Sequence, residues 1–167
     1  MTGTIEQVSI SRGGIPKTAV HEAWIGPLGL DGDAHRNPKC HGGPLKAVLL
    51  LSAEALDHLR AEGFDVSPGS LGENLTIRGL DFRQLRPGMA FRAGGAILRL
   101  TTLRQPCATL DALNPSGLRI QTRLYDDLAK SGDPASPNWA KGGFYAAVEA
   151  PGFVRPGDIL ELAGLAC

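Results

Sequence analysis

Hydrophobic positions along the chain fall into short runs cut by glycine and proline. Ile5 to Ser11 alternates weakly between apolar and polar side chains and predicts a strand. Gly13-Gly14-Ile15-Pro16 predicts a turn, and Thr18 to Ile25 a second strand before a Gly-rich segment, Gly26 to Asp33. Leu45 to Leu51 is continuously apolar, as expected of a strand buried on both faces. A helix follows. Ser52 suits its N-cap, Glu54 its first turn, Leu56 and Leu59 share a face, and Gly63 fits a left-handed stop.

Leu75 to Ile77, Met89 to Arg92 and Ile97 to Leu103 predict further strands, with Gly94-Gly95 as a hairpin turn between the last two. Pro115 suits the opening of a second helix, in which Ile120, Leu124 and Leu128 recur every four residues and Gly132 marks the end. Gly132 to Gly143 reads as a polar loop. Phe144 to Val148 and Ile159 to Leu162 close the chain as strands around the turn Arg155-Pro156-Gly157-Asp158. Arg86-Pro87-Gly88-Met89 repeats that turn chemistry without making an internal repeat. Short, closely spaced strands with two helices predict a mainly β fold, closed or nearly closed into a barrel. A βαβ sheet would need more helices between its strands. At 167 residues the chain is expected to be one domain, 1–167.

Charge narrows the function classes. Seventeen basic residues meet seventeen acidic ones, so no general electrostatic pull on nucleic acid or an anionic membrane is expected. The N-terminus lacks the basic start and apolar run of a signal peptide, and the longest apolar stretch, Ala47 to Leu51, is too short to span a bilayer. A cytoplasmic protein is expected. Cys40, Cys107 and Cys167 are odd in number, far apart and without a CxxC pair, which argues against a disulfide framework.

Four segments carry candidate chemistry. In Leu103 to Leu110, a strand ends, Pro106 forces a turn, and Cys107 lies near the start of a short helix. Unpaired amides there and the nearby Arg104 would favour the thiolate form, which ligates a soft metal or carries sulfur as a persulfide. A buried structural cysteine is the equal alternative. In Gly32 to Lys46, the residues Asp33, His35, Cys40 and His41 are candidate zinc ligands, but adjacent Cys40 and His41 suit one ion poorly. Gly42-Gly43 followed by Lys46 could instead present amides and an ammonium to an anion, with solvated loop charges as the plainer reading of Arg36 and Lys39. In Gly69 to Ile77, Glu73 and Asn74 either satisfy buried backbone groups or hydrogen-bond a heterocycle, the first being favoured. In Ser9 to Lys17, two hydroxyls, Arg12 and Lys17 surround a Gly-Gly turn that could line an anion site.

Taken in order, these segments resemble the MOSC family, named for the C-terminal domain of molybdenum-cofactor sulfurase. The resemblance rests on Ser11-Arg12-Gly13-Gly14-Ile15-Pro16-Lys17, Leu30-Asp31-Gly32-Asp33, and His41-Gly42-Gly43-Pro44-Leu45-Lys46-Ala47-Val48. It continues through Gly72-Glu73-Asn74-Leu75, Pro106-Cys107 and Arg155-Pro156-Gly157-Asp158. It is closest to the small stand-alone bacterial members. It implies a MOSC-type β-barrel with small helices and the molybdenum cofactor (molybdopterin) as ligand. Cys107 becomes the signature thiolate, either ligating molybdenum or carrying sulfur. Asn74 becomes a pterin contact, with Arg104, Lys46 and Ser11 as further pterin or phosphate contacts. Glu73 and His41 stand in the same motifs, the role of His41 undefined.

The resemblance also sets what is not expected. Larger relatives carry an N-terminal MOSC-associated domain that helps to hold the cofactor, and none is recognised here, which makes a homodimer or a covering partner an expectation. No ferredoxin-type cysteine run supplies electrons internally, and no pyridoxal-phosphate desulfurase domain fits. Three functions follow. The first is reduction of N-hydroxylated small molecules with an external electron donor. The second is sulfur carriage on Cys107 as a persulfide, from an external sulfur donor. The third is a non-catalytic cofactor-binding module.

Overall fold

The computed structural model describes residues 1–35 and 42–164. Arg36, Lys39, Cys40, His41 and Cys167, and with them the zinc reading of the Cys40-His41 pair, lie outside the described residues.

The strands, in chain order, are β1 (Thr2–Ile10), β2 (Thr18–Val20), β3 (Ala23–Gly26), β4 (Gly29–Leu30), β5 (Val48–Ser52), β6 (Leu75–Arg78), β7 (Ala90–Ala93), β8 (Ala96–Leu103), β9 (Phe144–Ala150), β10 (Gly152–Val154) and β11 (Ile159–Leu162). The barrel runs β1-β6-β5-β9-β8-β7-β11 and closes where β11 pairs with β1, Gly3 opposite Leu160. Closure leaves these strands no free edge. β2 continues along the far end of β1, and β10-β3-β4 forms a separate small sheet. Neighbours in the barrel are antiparallel except β5 and β6, whose parallel pairing requires a crossover. Helix α1 (Ala53–Ala61) opens that crossover.

β5 explains the continuous apolar run. Leu50 packs into the barrel interior with Phe91, Leu98 and Phe144, whereas Leu51 belongs to a second core outside it. That outer core holds Leu56 and Leu59 of α1 together with Leu110, Ile120 and Leu124. Burying each leucine of α1 contributes roughly 1.5–3 kcal/mol. The Ser52 hydroxyl accepts from the Ala55 amide at 3.3 Å, which starts α1 where the sequence predicts it.

Four elements differ from expectation. The Thr18–Ile25 strand breaks at His21 and Glu22, because the chain leaves the barrel sheet after β2 and enters the small sheet at β3. Pro44 to Lys46 forms a 3-10 turn with Leu45 exposed, so the strand begins only at Val48. The second helix divides into α2 (Gln121–Leu124) and α3 (Asp127–Ser131). Tyr125 is extended between them, and Asp126 caps the new start by accepting from the Ala129 amide at 2.8 Å. Leu128 is consequently exposed, and Ala129 is buried instead. The polar loop before β9 carries a plug: Trp139 is buried, stacks edge-on against Phe144, and donates its indole N–H to the Leu85 carbonyl at 3.0 Å. No helix among the described residues is long and apolar enough to cross a membrane.

Candidate functional site

A cavity of about 300 Å³ opens beside the outer core. Its wall brings together Cys107, Arg104, Asn74 and Lys46, four that the family resemblance names as site residues, with Lys17 and His35 from the candidate segments. Apolar cover comes from Ile15, Leu49, Leu71 and Leu110. This is the size and character of a small-molecule site.

Cys107 follows the end of β8. Arg104 extends the strand by donating its amide to the Gly143 carbonyl at 2.9 Å, and Pro106 then turns the chain. Cys107 precedes a 3-10 helix, Ala108–Leu113, anchored by the fully buried Leu110. The turn is pinned from α2, where Gln121 donates to the Cys107 carbonyl at 3.3 Å. The half-buried sulfur lies 3.3 Å from the Thr109 hydroxyl. At six residues this helix is too short to carry a large dipole, so the cationic character of the wall comes from side chains.

Arg104 supplies the least ordinary feature. Its side chain is 4% exposed and donates from Nη2 to the Leu71 carbonyl at 2.8 Å. Its Nε and Nη1 are buried with no partner among the described residues. Burial pushes the guanidinium down from its usual value, against the pull of Tyr145, Cys107 and Glu73. A guanidinium nevertheless remains charged in proteins. Two unanswered donors on a cavity wall are an opening for an anionic or strongly polar ligand.

Asn74 is buried and committed within the fold. Its Oδ1 accepts from the Leu49 amide at 3.1 Å, and its Nδ2 donates to the Ser9 carbonyl and the Asp33 carboxylate, at 3.2 and 2.9 Å. Asp33 also holds the Lys17 ammonium in a buried ion pair. Beside them, His35 is held below its ordinary value by burial first and by Lys17 second, with Asp33 pulling the other way. Lys46 places its ammonium 5.4 Å from the centre of the Tyr145 ring, and burial raises the Tyr145 phenol above its usual value.

Two predicted contacts sit elsewhere. Ser11 holds its own turn, donating to the Gly14 carbonyl at 3.0 Å while its amide donates to Asp33 at 2.8 Å. Glu73 is fully buried beneath the loop that carries Leu71 and Gly72 to the cavity. It accepts from the amides of Gly69 and Leu71 and the Thr76 hydroxyl, at 2.6, 3.2 and 3.1 Å. Burial pushes its carboxyl up, opposed by these donors and by Arg104. Neither residue lines the cavity. Sequence reasoning missed Tyr145, whose opposition to Phe144 in a strand was the available signal, and treated His35 only as a candidate zinc ligand. No group of three or more metal-ligating side chains forms among the described residues.

A closed β-barrel thus carries, on one outer cavity, a thiol and a guanidinium with two donors unpartnered among the described residues. The chain belongs to the MOSC family, whose MOSC domain model matches residues 37–161. It is 32% identical over 139 residues to YflK of Bacillus subtilis (strain 168), covering 80% of this chain and 55% of that protein. It is 30% identical over 146 residues to YiiM of Escherichia coli (strain K12), covering 84% and 59%. The chain thus spans somewhat over half the length of these curated relatives. Among solved structures, E. coli YiiM matches with a TM-score of 0.70 at 25% identity, over 99% of this chain and 71% of that one. YiiM of Geobacillus stearothermophilus matches in fold with a TM-score of 0.70 at 24% identity, over 96% and 75%.

Proposed function

We propose that this chain binds the molybdenum cofactor in the Arg104–Cys107 cavity and reduces N-hydroxylated small molecules with electrons from an external redox partner, in the cytoplasm. The observation that carries the reading is the pair of buried donors on Arg104, unpartnered among the described residues, on the same cavity wall as Cys107. The residues present fit such a group: a thiolate for a soft metal, a guanidinium fork for an anionic pterin substituent, and apolar walls for a heterocycle. MOSC domains are associated with this cofactor, which agrees with the donor set.

When bound, the cofactor would supply two-electron oxygen-atom chemistry. The chain's own residues would hold and orient it. Cys107 would ligate the metal, and Arg104 would answer negative charge with Nε and Nη1. Lys46 would add a second cation on the wall. Asn74 would shape the wall by fixing β1, β5 and the Asp33 loop to one another, as its three hydrogen bonds indicate. Leu49, Leu71 and Leu110 would exclude water from the heterocycle.

Metal and pterin content, measured on protein purified from a cofactor-competent host, tests this directly. Near-stoichiometric molybdenum in the wild type, abolished in Cys107→Ala, is the expected result. Metal-free protein that accepts a persulfide at Cys107 would instead establish sulfur carriage. Cofactor loading unchanged in Cys107→Ala would remove the central assignment.

A further inference from the structure

Reduction of an N-hydroxyl group consumes two protons as well as two electrons, and the cavity wall has few groups suited to deliver them. We infer that His35 is the proton donor of this site, a role that rests on the reductase function proposed above. It delivers a proton to the departing hydroxyl oxygen of a substrate held opposite Cys107.

Elimination along the wall supports the assignment. Lys17 is locked in a buried ion pair with Asp33. Arg104 keeps its proton. Burial moves the Tyr145 phenol further from neutrality, and Lys46 presents its ammonium to the Tyr145 ring. Cys107 is assigned to the metal. His35 remains, and imidazole is the side chain that ordinarily exchanges protons near neutral pH.

Geometry supports it independently. His35 lines the same cavity as Cys107 and Arg104, and its ring is seated against Gly42. A Cβ at Gly42 would come within 2.6 Å of the His35 Cδ2 and 2.9 Å of its Nε2. Gly42 has φ 93°, a conformation that itself favours glycine. The ring therefore rests on a surface that any side chain would fill. The charges acting on it are Lys17, from the loop before β2, and Asp33, from the loop after β4. Lys46, Arg104, Tyr145 and Cys107 are the other titratable groups on the wall.

The step balances as follows. The N–O bond breaks as the external reductant supplies two electrons. The imidazolium of His35 gives one proton to the departing hydroxyl oxygen, which leaves as water, and solvent supplies the second to the nitrogen, where an N–H bond replaces the N–O bond. Solvent then reprotonates His35. Because the protonated form is active, the rate should fall as pH rises through the His35 value, which lies below the ordinary 6.5.

The test uses wild type, His35→Gln and His35→Ala from a cofactor-competent host. Molybdenum content is measured first, and benzamidoxime reduction by reduced methyl viologen is then followed against pH. His35→Gln should keep its molybdenum, lose about 100-fold in rate, the scale of general acid catalysis, and lose the alkaline fall. Added imidazole should partly restore His35→Ala. In cofactor-free protein, NMR titration should place the His35 imidazole below 6.5 and move it upward in Lys17→Met. Full metal with a wild-type rate and pH profile in His35→Gln overturns the donor role and leaves the reductase reading standing. Loss of metal in both His35 variants also overturns it, since His35 would then be a binding residue. Wild type without molybdenum overturns the reductase reading itself, and the donor role with it.

Discussion

Replacing Arg104 by methionine should stabilise the cofactor-free protein. Arg104 is buried and, among the described residues, makes one side-chain hydrogen bond, to Leu71, and leaves Nε and Nη1 unanswered. A buried donor without a partner costs about 1–3 kcal/mol, so two cost about 2–6 kcal/mol. Methionine removes both and fills a similar length with apolar atoms. Against this, the Leu71 carbonyl loses its donor, at about 1–3 kcal/mol. Glu73 loses a neighbouring positive charge but keeps its three donors. The balance is a gain of about 1–3 kcal/mol.

Urea unfolding of protein from a host unable to make the cofactor measures this. The midpoint should rise at unchanged slope. Under the proposed function the sign reverses on loading: bound cofactor stabilises wild type by mass action, and Arg104→Met forfeits that gain. Such opposition between stability and binding is expected where a site holds strain for its ligand. Were cofactor-free Arg104→Met less stable than wild type by about 1 kcal/mol or more, the guanidinium would be a core strut. The argument from its unanswered donors would then fall.

Glu73→Ala should cost about 3–5 kcal/mol in the same unfolding assay, because two amides and the Thr76 hydroxyl lose their acceptor. Glu73→Gln, which keeps one oxygen, should cost about half as much. Gly69→Ala should lose at least about 2 kcal/mol and reduce cofactor loading. Gly69 has φ 92°, and a Cβ there would meet the carbonyl oxygen of Lys17, a wall residue, at 2.2 Å. Hydrogen bonding to Arg83 holds the Asp81 carboxyl down, from 3.8 to about 2. Its folded value is depressed, so its contribution is present above 3.8 and lost as pH falls toward 2. Exposure keeps that contribution small, and Arg83→Ala should flatten this part of an acid-denaturation profile.

The sequence made the barrel legible where local pattern and tertiary environment agree. β8 alternates along nearly its whole length, and α1 carries its cap, its apolar stripe and its stop within a dozen residues. Local pattern failed where a distant contact or a cap outweighed it. The four-residue repeat of Ile120, Leu124 and Leu128 reads as one helix, yet Asp126 accepts from both the Ala129 amide and the Ser136 hydroxyl. That capping offsets the lost helical turn and exposes Leu128. Trp139 lies in a segment of prolines, glycine and polar residues, and only its meeting with Phe144 and the Leu85 carbonyl makes it a plug.

The same distinction governs the site. Proline, strand end and thiol in one short segment marked Cys107 as a candidate, with a buried structural cysteine as the equal alternative, and the structure places it on the cavity wall. Arg104 was legible as a cation, but not as a buried one with two idle donors. That property depends on Leu71, 33 residues earlier in the chain. His35 depends on an ion pair between Lys17 and Asp33, 16 residues apart, and on the bare face of Gly42. Asn74 then ties Asp33 to Ser9 and Leu49. No local window contains that set, because the pairing of β6 with both β1 and β5 is what brings the three strands side by side. The cavity is therefore a consequence of strand order. A substitution that disturbs Asn74 should loosen Lys17 and His35 together, through the Asp33 carboxylate that Asn74 and Lys17 share. Asn74→Ala should accordingly shift the NMR titration of His35 while leaving the Cys107–Thr109 turn in place, and an unshifted His35 would show that the Asp33 loop holds its position without Asn74.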